Sequence, residues 1–328
     1  MSIYHQLTDS YQRQFTYLRL SVTDQCNFRC NYCLPDGYSA ASPDPFLSLE
    51  EIQRVAAAFA LNGTKKIRIT GGEPTLRKDL ADIIRICKST PGIETVALTS
   101  NGYKITQQLP ALVDAGLDQL NLSADSLEPA NFEMITGHNK LQEVLAGIDL
   151  AISLGLKRVK LNVVLMREFN RNELSKFLEF VSNRPISLRF IELMQTGDNV
   201  EFFKKQHVSG AEIQQHLEQN NWLQVLRDPH AGPAVEYTHP HYEGNIGLIM
   251  PYSKDFCSSC NRLRVSSHGN LHLCLFADAH ESLRPYLTQE SSAQLAKRLQ
   301  HLLGGKKETH DLHEGNSGST RHLAMLGG

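Results

Sequence analysis

The sequence lacks a surplus of either charge. Its 328 residues carry 33 Lys and Arg against 35 Asp and Glu, so no bulk electrostatic footprint points to nucleic acid or to a membrane surface, and any bound anion must be met by local cations. It lacks long hydrophobic runs as well. No apolar stretch approaches the length of a membrane-crossing helix, and "MSIYHQLTDSYQRQF" at the start has no apolar segment of the signal-peptide kind. The expected location is the cytoplasm. Thiols stay reduced there, so clustered cysteines read as metal ligands or redox groups rather than disulfides. Apolar residues are not scarce: at 41% they suffice for a large core, and the length suits a barrel of about 200–250 residues with an appended region.

A third shortage lies in the cysteines. Of seven, six form two tight groups, and each group is one short of the four ligands that structural zinc or an ordinary iron–sulfur cluster takes. Cys26, Cys30 and Cys33 follow a C-x3-C-x2-C spacing in a loop directly after a strand pattern. That spacing is neither the paired C-x2-C of zinc knuckles nor the four-cysteine run of ferredoxins. It favours a [4Fe–4S] cluster held by three thiolates, one iron keeping an open site, over zinc completed by a distant ligand. Cys257, Cys260 and Cys274 follow C-x2-C-x13-C. Alone, this group favours zinc with His268 or His272 as fourth ligand, or holds a second three-thiolate cluster; the spacing does not decide. Cys87, inside the helical pattern "LADIIRIC", reads as a core residue.

Strand patterns at 17–22, 66–70, 95–99, 119–123, 158–165 and 186–193 alternate with helix patterns at 48–63, 79–88, 106–115, 140–154, 171–183 and 209–219. Ser48 and Glu51 have capping-box spacing and Gly63 follows the helix they open. Six β-then-α units imply an α/β fold with a parallel sheet, and periodicity alone leaves open whether it curls into a barrel. Polar and glycine residues crowd the C-terminal ends of the strands: Thr23 and Asp24, "TGGEPT", "TSNG", "SADS" and "MQTG". Parallel α/β folds place their sites at that edge. Beyond residue 220 the chain turns irregular and rich in Pro, Gly and His, with a helix near 289–303 and a polar tail. The expected domains are therefore 1–220 and 221–328.

Charges inside apolar strands are costly to bury unpaired. Arg19 alternates with Leu18 and Leu20, and Arg68 and Lys160 lie in similar strands. Together they suggest an anion site rather than three structural ion pairs. Arg262 and Arg264 follow Cys260, and alternation turns both the same way.

The first cysteine loop, with Tyr32 before its last cysteine, together with "GGEP" at 71–74, resembles the radical S-adenosylmethionine (SAM) superfamily. Stretches from "LRLSVTDQCNFRCNYCLP" through "RFIELMQTG" and "FCSSCNRLRVSSHGNLHLCLF" to the terminal Gly327-Gly328 resemble, over about the whole chain, the GTP 3′,8-cyclase family of molybdenum-cofactor biosynthesis. The resemblance implies a partial (β/α)6 TIM-type barrel whose C-terminal region covers the open side. It implies a lyase with two [4Fe–4S] clusters, one on each cysteine trio, that turns GTP into 3′,8-cyclo-7,8-dihydro-GTP. It places SAM against Tyr32, Gly72, Ser123 and Met194, and GTP against Arg19, Arg68, Thr99, Lys160 and the Arg262–Leu263–Arg264 segment, and it brings the terminal glycine pair into the active site. It also implies an electron donor, a homodimer and product hand-over to cyclic pyranopterin monophosphate synthase. No side chain is assigned as a catalytic acid or base.

Overall fold

The computed structural model describes residues 6–39, 44–226 and 231–327. Its first six strands are β1 (Tyr17–Ser21), β2 (Lys66–Thr70), β3 (Thr95–Ser100), β4 (Gln119–Ser123), β5 (Arg158–Leu165) and β6 (Ser187–Glu192). Between and after them come helices α1 (Leu49–Leu61), α2 (Leu80–Ser89), α3 (Ile105–Asp114), α4 (Pro129–Thr136), α5 (Leu141–Ser153), α6 (Leu174–Ser182), α7 (Val200–Gln206) and α8 (Ala211–Gln219). The remainder contributes β7 (Leu223–Gln224), β8 (Val235–Thr238), β9 (Asn245–Ile249), β10 (Arg262–Val265), β11 (Asn270–His272), β12 (Glu281–Ser282), α9 (Arg284–Gln289) and α10 (Ser292–Leu302).

All twelve strands form one sheet, ordered β12-β11-β10-β1-β2-β3-β4-β5-β6-β9-β8-β7. Pairing is parallel from β10 through β1–β6 to β9 and antiparallel outside that span. The sheet is open, with β12 and β7 at its ends, in keeping with a partial TIM-type barrel. The C-terminal region does more than cover the open side: it lengthens the parallel sheet by one strand at each edge, β10 on β1 and β9 on β6.

Alternation along the strands separates two environments. Leu18 and Leu20, Ile67 and Ile69, Val96 and Leu98, Leu120 and Leu122, and Leu161 and Val163 are all 0% exposed and join the core under the helices. Each such side chain contributes about 1.5–3 kcal/mol by leaving water. Residues that alternate with them, Arg19, Arg68, Thr99, Asn121, Lys160 and Asn162, line a cavity on the other face. Helix α1 buries Ile52, Val55, Ala56 and Phe59 and packs on α2 and α10. The capping box that opens it is formed: the Ser48 hydroxyl accepts from Glu51 N–H at 3.2 Å and the Glu51 carboxylate from Ser48 N–H at 2.8 Å.

Three boundaries differ from expectation. The helix near 289–303 is broken at Ser291, which caps α10 through a box with Gln294, so α9 ends at Gln289. Residues 171–173 form a 3-10 turn ahead of α6. Two short helices, α4 and α7, have no counterpart in the periodicity reading. No helix among the described residues is long and apolar enough to cross a membrane.

Candidate functional site: a cavity between two cysteine trios

The loop after β1 carries Cys26, Cys30 and Cys33 and is fastened to the neighbouring strand ends. Gly72 N–H donates to the Thr23 carbonyl at 2.9 Å and Glu73 N–H to that of Gln25 at 2.7 Å. The glycine pair is what permits this contact. A Cβ on Gly71, whose φ is +151°, would lie 2.2 Å from Thr23 O, and one on Gly72 2.2 Å from Gln25 O. The close approach that glycine allows here is therefore to the cysteine loop itself. Glu73 is wholly buried, with its carboxylate accepting from Thr75, Ser100 and Asn101. Asn101 in turn reaches the Asn27 side chain at 3.0 Å and the Cys26 sulfur at 3.9 Å. On its far side the loop bonds α4, Asn31 N–H to Ile135 O at 3.0 Å.

Burial pushes the Cys26 thiol up to about 11 and the Cys33 thiol up to about 12, and raises Cys30 well above its usual value too. Three such thiols, none in a disulfide, are costly to ionise alone and suit a cationic iron centre that binds them as thiolates.

Cys257 and Cys260 share a turn before β10, and the β10–β11 hairpin returns Cys274 to it. Burial raises Cys257; the same effect on Cys260 is outweighed by Arg262, Lys306 and Arg13, leaving its thiol at about 7. The histidines considered as zinc ligands are placed elsewhere. His268 faces Asp24 at 3.3 Å and packs on Phe46, and neither it nor the buried His272 lines the cavity. Among the described residues no three His, Cys, Asp or Glu side chains converge on a point that would hold a single metal ion. All six trio cysteines instead line one cavity, a soft-donor set that fits two three-thiolate clusters.

Between the trios lies a row of cations set by strand register. Arg19 on β1 is flanked by Arg264 on β10 and Arg68 on β2. All three line the cavity with Arg262, Lys66, Lys160 and Arg189. Arg68 donates to Thr99 Oγ1 at 3.1 Å, and Arg189 pairs with Glu236 at 2.8 Å. Burial and mutual repulsion lower them: Arg19 well below its usual value through burial and Arg264, Arg264 to about 10 through burial and Arg262, and Lys160 far below the ammonium range through burial and Arg189. Cations held at such cost are set to receive an anion. Leu263, by contrast, turns into the core at 2% exposure and is absent from the lining.

Tyr32, Gly72, Ser123 and Met194 line the same cavity. The Tyr32 hydroxyl donates to Asp125 at 2.9 Å. Among the described residues, Asn162 Oδ1 and Glu192 Oε2 are buried there without a hydrogen-bond partner, acceptors that suit the ammonium and hydroxyl groups of SAM. The tail also reaches this space. Arg264 donates to the Leu326 and Gly327 carbonyls, each at 3.1 Å, and Arg19 to that of Gly327. Gly327, at φ +61°, packs against Thr70. Gly328 lies outside the described residues.

Sequence reading missed several residues. Arg189 carries the signal that marked Arg68 and Lys160, a cation inside an apolar strand. Lys66 sits at a strand start where a lysine is ordinary. Asp125 and Asn101 follow "LNLS" and "LTS" and were legible only as polar strand ends.

A parallel α/β sheet with three thiols in the loop after its first strand, clasped by a glycine pair from the second, defines the radical SAM class. Residues 20–181 match the family described as Radical SAM superfamily, and residues 186–312 match Molybdenum Cofactor Synthesis C. The fold is similar to that of Streptococcus suis SuiB bound to S-adenosylmethionine, with a TM-score of 0.60 at 14% identity over 80% of this chain and 60% of that one. Over its length the chain is 52% identical to the GTP 3′,8-cyclase of Cronobacter sakazakii, covering 98% of this chain and 99% of that protein. It is 53% identical to that of Vibrio cholerae (strain M66-2), covering 100% and 99%. The chain belongs to the GTP 3′,8-cyclase family.

Proposed function

We propose that this protein is a radical SAM GTP 3′,8-cyclase that converts GTP to 3′,8-cyclo-7,8-dihydro-GTP, opening molybdenum-cofactor synthesis. The observation that supports it best is the single cavity lined by both cysteine trios with a cation row between them. Cys26, Cys30 and Cys33 would hold one [4Fe–4S] cluster and Cys257, Cys260 and Cys274 the other. Bound there, the clusters and SAM supply reductive cleavage of SAM to methionine and a 5′-deoxyadenosyl radical.

The chain's own part is positioning. Tyr32, Gly72, Ser123 and Met194 orient SAM. Arg19, Arg68, Thr99, Lys160 and the 262–264 segment hold GTP, with Leu263 contributing backbone only, so that the ribose 3′ hydrogen meets the radical and C3′ then bonds to C8 of guanine. Orientation and exclusion of water are the means, since a radical must meet only its substrate. In this reading residues 1–220 form the radical SAM partial barrel with the first cluster site, and 221–328 the C-terminal region with the second cluster site and the Gly-Gly tail. The enzyme works in the cytoplasm as a homodimer, takes electrons from a separate donor and passes its product to cyclic pyranopterin monophosphate synthase.

Anaerobically reconstituted protein incubated with reductant, SAM and GTP should form 5′-deoxyadenosine together with a cyclised purine nucleotide. Colourless, zinc-containing protein, or 5′-deoxyadenosine released only with a different substrate, would contradict the assignment.

A further inference from the structure

The row of arginines has a second row beneath it. Two residues back along the same strands, Tyr17 on β1 is flanked by Arg262 on β10 and Lys66 on β2. With Arg19, Arg68 and Arg264 one pleat above, this places a single phenol amid five cations. Tyr17 is 5% exposed and lines the cavity. Arg68 Nε donates to its hydroxyl oxygen, and the Lys66 ammonium lies 5.2 Å and the Arg68 guanidinium 6.0 Å from its ring centroid. Farther out are Lys160 on β5 and Arg189 on β6, the latter paired with Glu236 on β8.

Like charges packed this closely repel, and burial removes the water that would screen them. We propose that Tyr17 is the internal counter-charge of this cradle: its oxygen holds Arg68 and offsets the cations while no triphosphate is present, and it yields that role when a triphosphate brings its own negative charge. The inference rests on the triphosphate reading above. Burial alone would raise the phenol, but Arg68, Lys66 and Arg19 outweigh it and bring it down to about 7. The unliganded cradle therefore gains stability from Tyr17 as pH rises past that value, and the gain disappears as pH falls through it. A bound triphosphate opposes the phenolate and drives it back to the phenol by uptake of one proton.

The test compares full-length, cluster-loaded protein with Tyr17→Phe, using GTP and inorganic triphosphate as probes. Without ligand, Tyr17→Phe lowers the thermal midpoint, by more at about pH 8.5 than at about pH 6. Either probe restores most of the difference. At the higher pH the variant binds both probes roughly three- to tenfold more tightly than wild type, and the gap narrows at the lower pH. An equal midpoint loss with and without ligand would make Tyr17 a packing residue and overturn the proposal. So would affinity weakened by the same factor at both pH values, which marks a residue that merely orients Arg68 for the ligand. If wild type binds inorganic triphosphate but not GTP, the cyclase reading fails while the counter-charge role is still decided by triphosphate alone.

Discussion

Replacing Gly72 with alanine drives a methyl group into the backbone of the first cysteine loop. The new Cβ would lie 2.2 Å from the Gln25 carbonyl oxygen and 2.6 Å from that of Asp24, where ordinary contact begins near 3.4 Å. Both obstacles are main-chain atoms, so no rotamer relieves them and the loop must retreat by roughly 1 Å, at a cost of about 1–3 kcal/mol. Cys26 is the next residue along and moves with it. A displacement of about 1 Å at a reacting centre can cost on the order of 100-fold in rate. The assay is iron content and thermal midpoint of anaerobically purified protein. Gly72→Ala should drop from about eight irons per chain toward about four, the remainder held by the second trio, with a lowered midpoint. Gly304→Ala is the control, because nothing among the described residues lies within 4 Å of its Cβ. Full iron and an unchanged midpoint in Gly72→Ala would refute the idea that this contact sets the loop.

Further outcomes follow from other contacts. Asp118 accepts from Lys88 at 2.7 Å, Lys157 at 2.8 Å and Val96 N–H at 2.9 Å. Burial would raise its carboxyl, but Lys157 and Lys88 keep it below the usual range, so its stabilisation is present above that range and lost as pH falls. Asp118→Ala should cost about 2 kcal/mol in urea unfolding at neutral pH, and the difference from wild type should shrink in acid. Leu263→Ala should cost about 2–5 kcal/mol through the cavity it leaves yet keep the KM for GTP at a permissive temperature, whereas Arg264→Lys should raise KM with little loss of stability. Removing residues 326–328 takes the tail acceptors from Arg19 and Arg264; steady-state kinetics should show GTP turnover reduced on the order of tenfold or more, with iron content and SAM affinity unchanged.

The local parts of this architecture were legible because their signals are local. The six βα units, the capping box at Ser48 and the two cysteine loops each announce themselves within a few residues. Period-two alternation was enough to turn Arg19, Arg262 and Arg264 away from the core, and the same rule places Leu263 in it, against an assignment that treated residues 262–264 as one segment. What resisted reading depends on distant pairing. Nothing local says that β9 and β10 join opposite edges of the parallel sheet, although that pairing is what brings the second trio and Arg264 beside β1. The glycines at 71 and 72 were recognisable as a close-approach point; only the fold shows that the neighbour is Thr23–Gln25. The encirclement of Tyr17 likewise emerges only when three strands, far apart in sequence, are laid in register.

The central claim is that one cavity brings the cofactor of the first trio to the ribose of a nucleotide held by the cation row and the second trio. Its most direct test is GTP deuterated at C3′, incubated anaerobically with reduced protein and SAM, followed by mass spectrometry of the nucleoside released. The account predicts 5′-deoxyadenosine carrying the deuterium, with a cyclised product that has lost it from C3′. Unlabelled 5′-deoxyadenosine formed in the presence of that substrate would contradict it.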